Sequence, residues 1–203
     1  MPVVVADAGP LIHLAQIGEL QLLEKLFRKV LVTARVKVEA FDEGVRLGCV
    51  DAEAVGGALS EGWLRVEPVP ERLAKVPVKL AEGENVSCAD AETVLLAREK
   101  RAELLVDDKV LSDLARMFGL RVWSTWTILL ESLSRSLIEV VDVENAISEL
   151  GRKRHKLKEK QAKEILEAAR YVEERKTQKQ PKSKRRKWGK TTFLGSGEAT
   201  FGE

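Results

Sequence analysis

Acidic side chains recur in this chain at points where a strand ends or a helix begins. The four places are Asp7, Glu39, Asp90 and the adjacent pair Asp107 and Asp108. Clustered carboxylates repel one another and are costly to hold together unless a cation neutralises them. Their hard oxygens are the ligands that Mg²⁺ and Mn²⁺ prefer, and two such ions about 3.5–4 Å apart can hydrolyse a phosphodiester without a protein base. If the fold brings these acids together, they predict metal-dependent hydrolysis of a phosphodiester.

Each acid also has an ordinary structural interpretation. Asp7 can cap the helix that follows it, and so can Asp107 or Asp108, between which the sequence does not choose. Ser87 stands three residues before Asp90, which fits a capping box. Glu39 can be a solvated charge on a helix. Taken singly, these interpretations compete with the functional one, whereas four acids at one edge of a sheet favour the functional one.

The strand that ends at Asp7 is typical of the centre of a parallel sheet. Val3–Ala6 is a continuous run of small or β-branched apolar residues, as in strands that are covered on both faces. Gly9 and Pro10 then suit a turn and the first turn of a helix. Because ligands bind beyond the carboxyl ends of strands in open α/β sheets, Asp7 stands where chemistry is usually done.

Short apolar strands alternate with helical patterns through the first two thirds of the chain. Strands are predicted at 3–6, 29–32, 63–66, 103–106 and 120–123. Helices are predicted at 11–28 with a break at Gly18, and at 34–48, 51–61, 87–100, 109–118 and 125–136, with a proline-containing loop up to Glu84. This alternation predicts an α/β sandwich with a parallel sheet and right-handed crossovers.

The charge of the chain is distributed unevenly. Residues 1–150 carry 17 Lys and Arg against 25 Asp and Glu, a net charge of −8, whereas residues 151–190 carry 17 against 5, a net charge of +12. A basic segment on an acidic body indicates a polyanionic partner such as nucleic acid, or an acidic protein surface. Within that segment, Trp188 could stack on a base while its neighbours contact phosphates, and a nonspecific charge run is the alternative. The candidate RNA-binding residues are Lys184, Arg185, Arg186, Lys187 and Trp188.

We predict three parts of the chain: a nuclease-like domain at 1–138, a helical extension at 139–176 and a basic, disordered tail at 177–203. The extension holds two predicted helices, 142–150 and 156–176. The second has an apolar stripe, which predicts that it docks on another surface. The stripe consists of Ala162, Ile165, Leu166, Ala169 and Val172.

Composition excludes several classes of site. Cys49 and Cys88 are the only cysteines, so the sequence supports neither a disulfide framework nor a structural zinc site. The only histidines, His13 and His155, fall in a predicted helix and in the basic segment, which disfavours a metal-free ribonuclease with a histidine acid and base. No apolar run is long enough to span a membrane and no secretory leader is visible, so we expect a cytoplasmic protein.

The order of these motifs resembles that of PIN domains, most of all the small prokaryotic ribonucleases of the VapC toxin type. The resemblance covers about residues 3–138 and rests on five segments: 3–12, the acidic helix around Glu39, 87–93, 104–109 and 118–122. It implies a three-layer sandwich around a five-stranded parallel sheet, and a carboxylate pocket that binds Mg²⁺ or Mn²⁺ and cleaves RNA. The basic tail departs from the toxin pattern.

Carried over by position, the resemblance implies a role for each acid. Asp7, Asp90 and one or both of Asp107 and Asp108 would be metal ligands. The catalytic set would be Asp7, Glu39, Asp90 and Asp108. The polar residue after the fifth strand, Thr125, would support them.

Three functions follow from the sequence. The favoured one is a Mg²⁺- or Mn²⁺-dependent endoribonuclease of a toxin or RNA-processing type. The alternative is a non-catalytic protein that binds RNA, the ribosome or ribosomal RNA through its basic tail. In a third, the helix at 156–176 docks a protein inhibitor or a second copy of the chain.

Overall fold

The computed structural model describes residues 1–84, 86–153 and 157–179, in which five strands form one sheet. The strands are β1 (Val3–Ala6), β2 (Lys29–Val32), β3 (Leu64–Val66), β4 (Glu103–Leu105) and β5 (Val122–Trp123). Every pair of neighbours is parallel, in the order β3-β2-β1-β4-β5. The predicted five-stranded parallel sheet is confirmed.

Helices connect the strands and continue after the last one. They are α1 (Ala8–Gln16), α2 (Leu22–Leu26), α3 (Ala34–Lys37), α4 (Glu43–Arg46), α5 (Val50–Glu61), α6 (Val76–Glu84), α7 (Cys88–Lys100), α8 (Lys109–Met117), α9 (Thr125–Ser134), α10 (Val140–Arg152) and α11 (Glu159–Lys179). A π-helical segment (Val38–Asp42) joins α3 to α4, and a short 3₁₀ helix (Glu71–Leu73) precedes α6.

The sheet is the middle layer of a three-layer sandwich. Residues of α7 and α8 pack with Val5 and Leu104 on one face. Residues of α1, α2, α5 and α9 pack with Val4 and Ala6 on the other. Since β1 is paired on both sides and covered on both faces, Val4, Val5 and Ala6 are fully buried, as the apolar run predicts, and Val3 is half-buried.

The central position of β1 fixes where Asp7 lies. Its backbone N–H donates a hydrogen bond of 2.9 Å to the carbonyl of Leu105, which extends the pairing of β1 with β4 by one residue. Asp7 therefore stands at the carboxyl edge of the sheet, where β1 gives way to α1.

One prediction of secondary structure is wrong, and another is confirmed. The proline-containing stretch before Glu84 is not all loop, because α6 lies within it. Pro77 is the second residue of α6, in the first turn, where a missing N–H breaks no intrahelical hydrogen bond. The break predicted at Gly18 within the helical stretch 11–28 is present, because Gly18, with a φ of 75°, lies in the turn between α1 and α2.

The apolar stripe of α11 packs on the chain itself. Ala169 is fully buried in the core that includes α9 and α10, and Ile165 and Val172 pack against that core. The division of the chain at residue 138 stays a prediction. The residues at 180–203, which include the candidate RNA-binding group Lys184–Trp188, lie outside the described residues, as does His155.

Three tryptophans and both cysteines are half-buried. The tryptophans at 63, 123 and 126 are half-buried and pack against the main core. The two cysteines are half-buried and unpaired. In residues 1–84, 86–153 and 157–179, no helix combines the length and apolar character that crossing a membrane requires.

Candidate functional site

Asp7 is the acid nearest the centre of the sheet edge. It occupies the N-cap position of α1 with an extended backbone, at φ −80° and ψ 164°. Its pKa is raised to about 6, chiefly by burial; the negative charges of Asp90 and Glu39 act in the same direction, and hydrogen bonds from the N–H groups of Ala8 and Gly9 act against it. The carboxylate is therefore poorly stabilised by the protein alone.

Glu39 is placed by an irregular helical region. Thr33 begins the region as the N-cap of α3, where its Oγ1 accepts a hydrogen bond of 3.2 Å from the N–H of Val36. The helix then widens into the π-helical segment, a feature that is frequent at functional sites and that carries Glu39. Burial raises the pKa of Glu39, and the charges of Asp90 and Glu43 raise it as well.

Asp90 is fixed by the start of α7. Its Oδ2 accepts a hydrogen bond of 2.9 Å from the N–H of Ser87, and its own N–H donates 3.0 Å to Ser87 Oγ. The capping box that the sequence predicts is therefore present. The structural role does not exclude a chemical one, because Asp90 also raises the pKa values of Asp7 and Glu39. These three residues, from three separate elements, lie within electrostatic reach of one another, and we call them the acidic triad.

Asp107 has a different set of partners. Its Oδ1 accepts 2.8 Å from the N–H of Thr125, and its Oδ2 accepts 2.6 Å from Thr125 Oγ1. The same Oδ2 lies 2.6 Å from Nδ1 of His13. Burial alone would raise the pKa of Asp107, but the hydrogen bonds from His13 and Thr125 outweigh burial and lower it.

Strand alternation explains why the two groups differ. Ala6 pairs with Leu105, so Asp7 is level with Val106 and Asp107 is one residue further along. Successive side chains point to opposite faces, and Asp107 turns to the face covered by α1 and α9. His13 and Thr125 belong to those two helices.

Asp108 is the N-cap of α8. Its Oδ1 accepts a hydrogen bond of 2.8 Å from the N–H of Leu111. Of the two adjacent acids that the sequence could not separate, Asp108 makes the capping contact and Asp107 makes the contacts with neighbouring helices. Sequence reasoning placed His13 in a predicted helix and missed its pairing with Asp107. Its position between the buried residues Leu11 and Leu14 was the available signal.

The donor set of the acidic triad suits a hard divalent cation, because all its ligand atoms are carboxylate oxygens and two of the three pKa values are raised. No group of three or more His, Cys, Asp or Glu side chains within the described residues is already arranged to hold a metal ion. The chemistry of the donors fits such an ion.

Comparisons with known proteins agree with the fold. The family model of the PIN domain matches residues 3–171, which is most of the chain. The chain is a PIN-domain protein. PIN domains are generally nucleases that use divalent metal ions.

This PIN-domain protein is also similar to the solved structure of a PilT N-terminus domain protein from the hyperthermophilic archaeon Sulfolobus solfataricus P2. That match has 20% identity and a TM-score of 0.45, and covers 64% of this chain and 93% of the other. Among curated proteins, no sequence matches significantly.

Proposed function

We propose that this PIN-domain protein is an endoribonuclease that depends on Mg²⁺ or Mn²⁺. The observation that carries the proposal is the state of Asp7, whose pKa is raised to about 6 by burial and by the charges of Asp90 and Glu39. Carboxylates that destabilise one another at the carboxyl edge of a parallel sheet form a site that a divalent cation stabilises.

The position of each acid indicates its role in the proposed reaction. Asp7 and Asp90 would hold the cation. Glu39 would complete the acidic triad from the π-helical segment. Asp108, or Asp107 through its network with His13 and Thr125, would complete the site from β4. When bound, such a cation neutralises the phosphate oxygens and activates water for attack.

The test is cleavage of RNA by the full chain with Mn²⁺, by the wild type and by Asp90→Asn. Asparagine keeps an oxygen that can accept from the N–H of Ser87, so the variant removes the charge and preserves the cap. We expect a loss of at least about 100-fold, since changes even to residues behind a metal ligand cost roughly 10- to 100-fold. Asp113→Asn, a side chain that is 56% exposed, is the matched control and should cleave as the wild type does.

Equal cleavage by the wild type and Asp90→Asn contradicts the proposal. The alternative, a non-catalytic protein that binds RNA or the ribosome, draws support from the charge of +12 on residues 151–190. It is favoured if the wild type cuts no RNA while removal of residues 180–203 abolishes RNA association. A toxin role, a protein inhibitor, a homodimer and a cytoplasmic location remain proposals of the same kind.

A further inference from the structure

A groove with an apolar floor runs between the start of α10 and the end of α11. It consists of two adjoining clefts of about 780 and 460 Å³, which share Val140 and Glu173. Leu137 and Val141, which line the larger cleft, are 36% and 49% exposed. Exposed apolar side chains that are gathered in one concave surface, rather than scattered singly, mark sites of interaction.

Carboxylates stand around this apolar floor. Glu139 and Asp142 lie on the α10 side, and Glu174 lies on the α11 side. Within residues 1–84, 86–153 and 157–179, these three acids take part in no ion pair. Arg170 and Lys176, the two basic residues that line the groove, are each ion-paired with another glutamate. The groove therefore presents negative charge beside apolar surface, and we call it the acidic groove.

The chain itself carries a complement to the acidic groove. Residues 182–188 hold five Lys or Arg, no acid and one tryptophan, and they follow α11 after two further residues. Gln178, in the last turn of α11, lines the groove, so this basic segment leaves the helix at the rim. Fully extended, residues 180–188 reach about 30 Å. The groove wall at 170–178 is only about 12 Å long on the helix axis, so the segment can lie along it.

The tether makes this match effective. Because the basic segment is joined to one wall of the groove, its effective concentration there is about millimolar, and weak ion pairs are then sufficient for binding. The segment also supplies an aromatic side chain for the apolar floor, which a charge run alone would leave exposed.

The acidic groove lies at the edge of the sheet opposite the acidic triad. Asp7 begins α1, whereas Glu19 follows the end of that helix. Burial raises the pKa of Glu19 and the charge of Asp142 raises it further, while Lys25 acts against both, so Asp142 is near that end of α1. In the same way, α9 begins beside the carboxyl end of β5 and ends before the groove residues at 136–142. A segment bound in the groove is held away from the candidate active site.

We propose that the acidic groove binds the chain's own basic segment 182–188, with Trp188 on the apolar floor and Lys and Arg side chains on the carboxylates. Phosphates attract the same cations, so RNA and the groove compete for the segment. The groove thereby restrains the binding of RNA through this segment. The inference concerns the basic segment and is independent of the nuclease function.

The first experiment maps the contact in the full chain. Carbodiimide joins a carboxylate to a lysine amine where the two are in contact, so we expect cross-links from lysines of the segment to Asp142. The groove variant, Glu139→Gln with Glu174→Gln, removes two charges and keeps Asp142, whose Oδ2 accepts 2.7 Å from the N–H of Glu139. It should reduce the yield of these cross-links roughly twofold to fivefold, the strength of an exposed ion pair.

The second experiment measures the restraint on RNA binding. Fluorescence anisotropy follows labelled single-stranded RNA on the full chain in EDTA, where no metal-dependent cleavage consumes the RNA. We expect the groove variant to bind roughly twofold to fivefold more tightly than the wild type. The matched control is Glu53→Gln with Glu167→Gln, which removes two exposed carboxylates outside the groove and should bind as the wild type does.

A neutralised segment separates competition from a general effect of charge. Its four substitutions are K184Q, R185Q, R186Q and K187Q. In a chain that carries them, the groove variant should gain no affinity for RNA, because the cations that it would release are absent. Thermal unfolding should show that all variants are folded.

The proposal is overturned if the groove variant and the control bind RNA alike, or if the groove variant gains as much affinity when the segment is neutralised. A wild type without cross-links between the segment and Asp142 contradicts it as well. Cross-links that join isotope-labelled to unlabelled chains would assign the groove to a second copy and overturn the proposal. None of these results depends on cleavage, so the nuclease function succeeds or fails separately.

Discussion

Asp7 is a buried carboxylate with two further acids near it. The residue is at the end of the most buried strand, and its carboxylate meets two further acids rather than cations. On the surface, the same carboxylate would not be destabilised by burial. A bound cation that supplies positive charge would explain why a destabilised carboxylate stands at this position.

The raised pKa of Asp7 predicts how stability depends on pH in EDTA. Between its ordinary value of 3.8 and about 6, the folded protein binds more protons than the unfolded chain. The free energy of unfolding therefore falls as pH rises through that window, by roughly 1–3 kcal/mol. Asp7→Asn removes this loss, so it should be more stable than the wild type at pH 7 and lose that advantage near pH 4.

Urea unfolding of both proteins at the two pH values measures the effect, with Asp113→Asn as an exposed control. If Asp7→Asn is instead less stable than the wild type at pH 7, the carboxylate is not destabilised by its neighbours. In that case the electrostatic account of the acidic triad is wrong.

Sequence could predict which residues are acidic and near strand ends, but not the contacts of each. Asp107 and Asp108 are adjacent and chemically identical, and only strand alternation and the helix that follows separate a partner of His13 from a cap. Thr125, singled out by resemblance as a supporting residue, donates two hydrogen bonds to Asp107. His13 was missed because its partner is 94 residues away in the chain.

At the scale of elements, the position of Glu39 depends on how its helix packs. Phe41, in the same π-helical segment, lies against α5 at Gly56. A Cβ atom on Gly56 would stand 2.6 Å from the Phe41 ring, whereas a Cβ on Gly57 would have no atom within 4 Å. The close approach of these two elements therefore requires glycine at one position and tolerates alanine at the next.

Alanine substitutions at these two glycines should have opposite effects. Gly56→Ala is expected to destabilise the fold by about 1–3 kcal/mol through overpacking, and to displace the segment that carries Glu39. Gly57→Ala should stabilise it by about 0.5–1 kcal/mol, since alanine is the better helix former and meets no obstacle. Chemical unfolding measures both, and a stabilising Gly56→Ala would contradict the packing described here.

Most elements could be predicted because their signals are local. Thr33 and Ser87 cap helices as their positions indicate, and apolar runs mark the strands. The exception is α6. Proline at 77 is typical of a loop, but it also suits the first turn of a helix, which is where it lies. The π-helical segment, which packs against α5 through Phe41, was not predicted.

At the scale of the whole molecule, the fold gathers acids from distant parts of the chain. Asp7, Glu39 and Asp90 are brought within reach because β1 is central and because α3 and α7 begin at the same edge. The helices α10 and α11 add to the core on the face opposite α7, so they stabilise the scaffold from the other side of the sheet. No segment of the sequence predicts the order of the strands, on which this convergence depends, and the resemblance implied only that the sheet is parallel and five-stranded.

The measurement that tests the central claim most directly is calorimetric titration of Mn²⁺ into the full chain at pH 7, where Asp7 is ionised. The account predicts saturable binding by the wild type and by Asp113→Asn, loss of that binding in Asp90→Asn, and stabilisation of about 2.7 kcal/mol when Mn²⁺ is at 100 times its dissociation constant. Binding of Mn²⁺ by Asp90→Asn with the affinity of the wild type would contradict it.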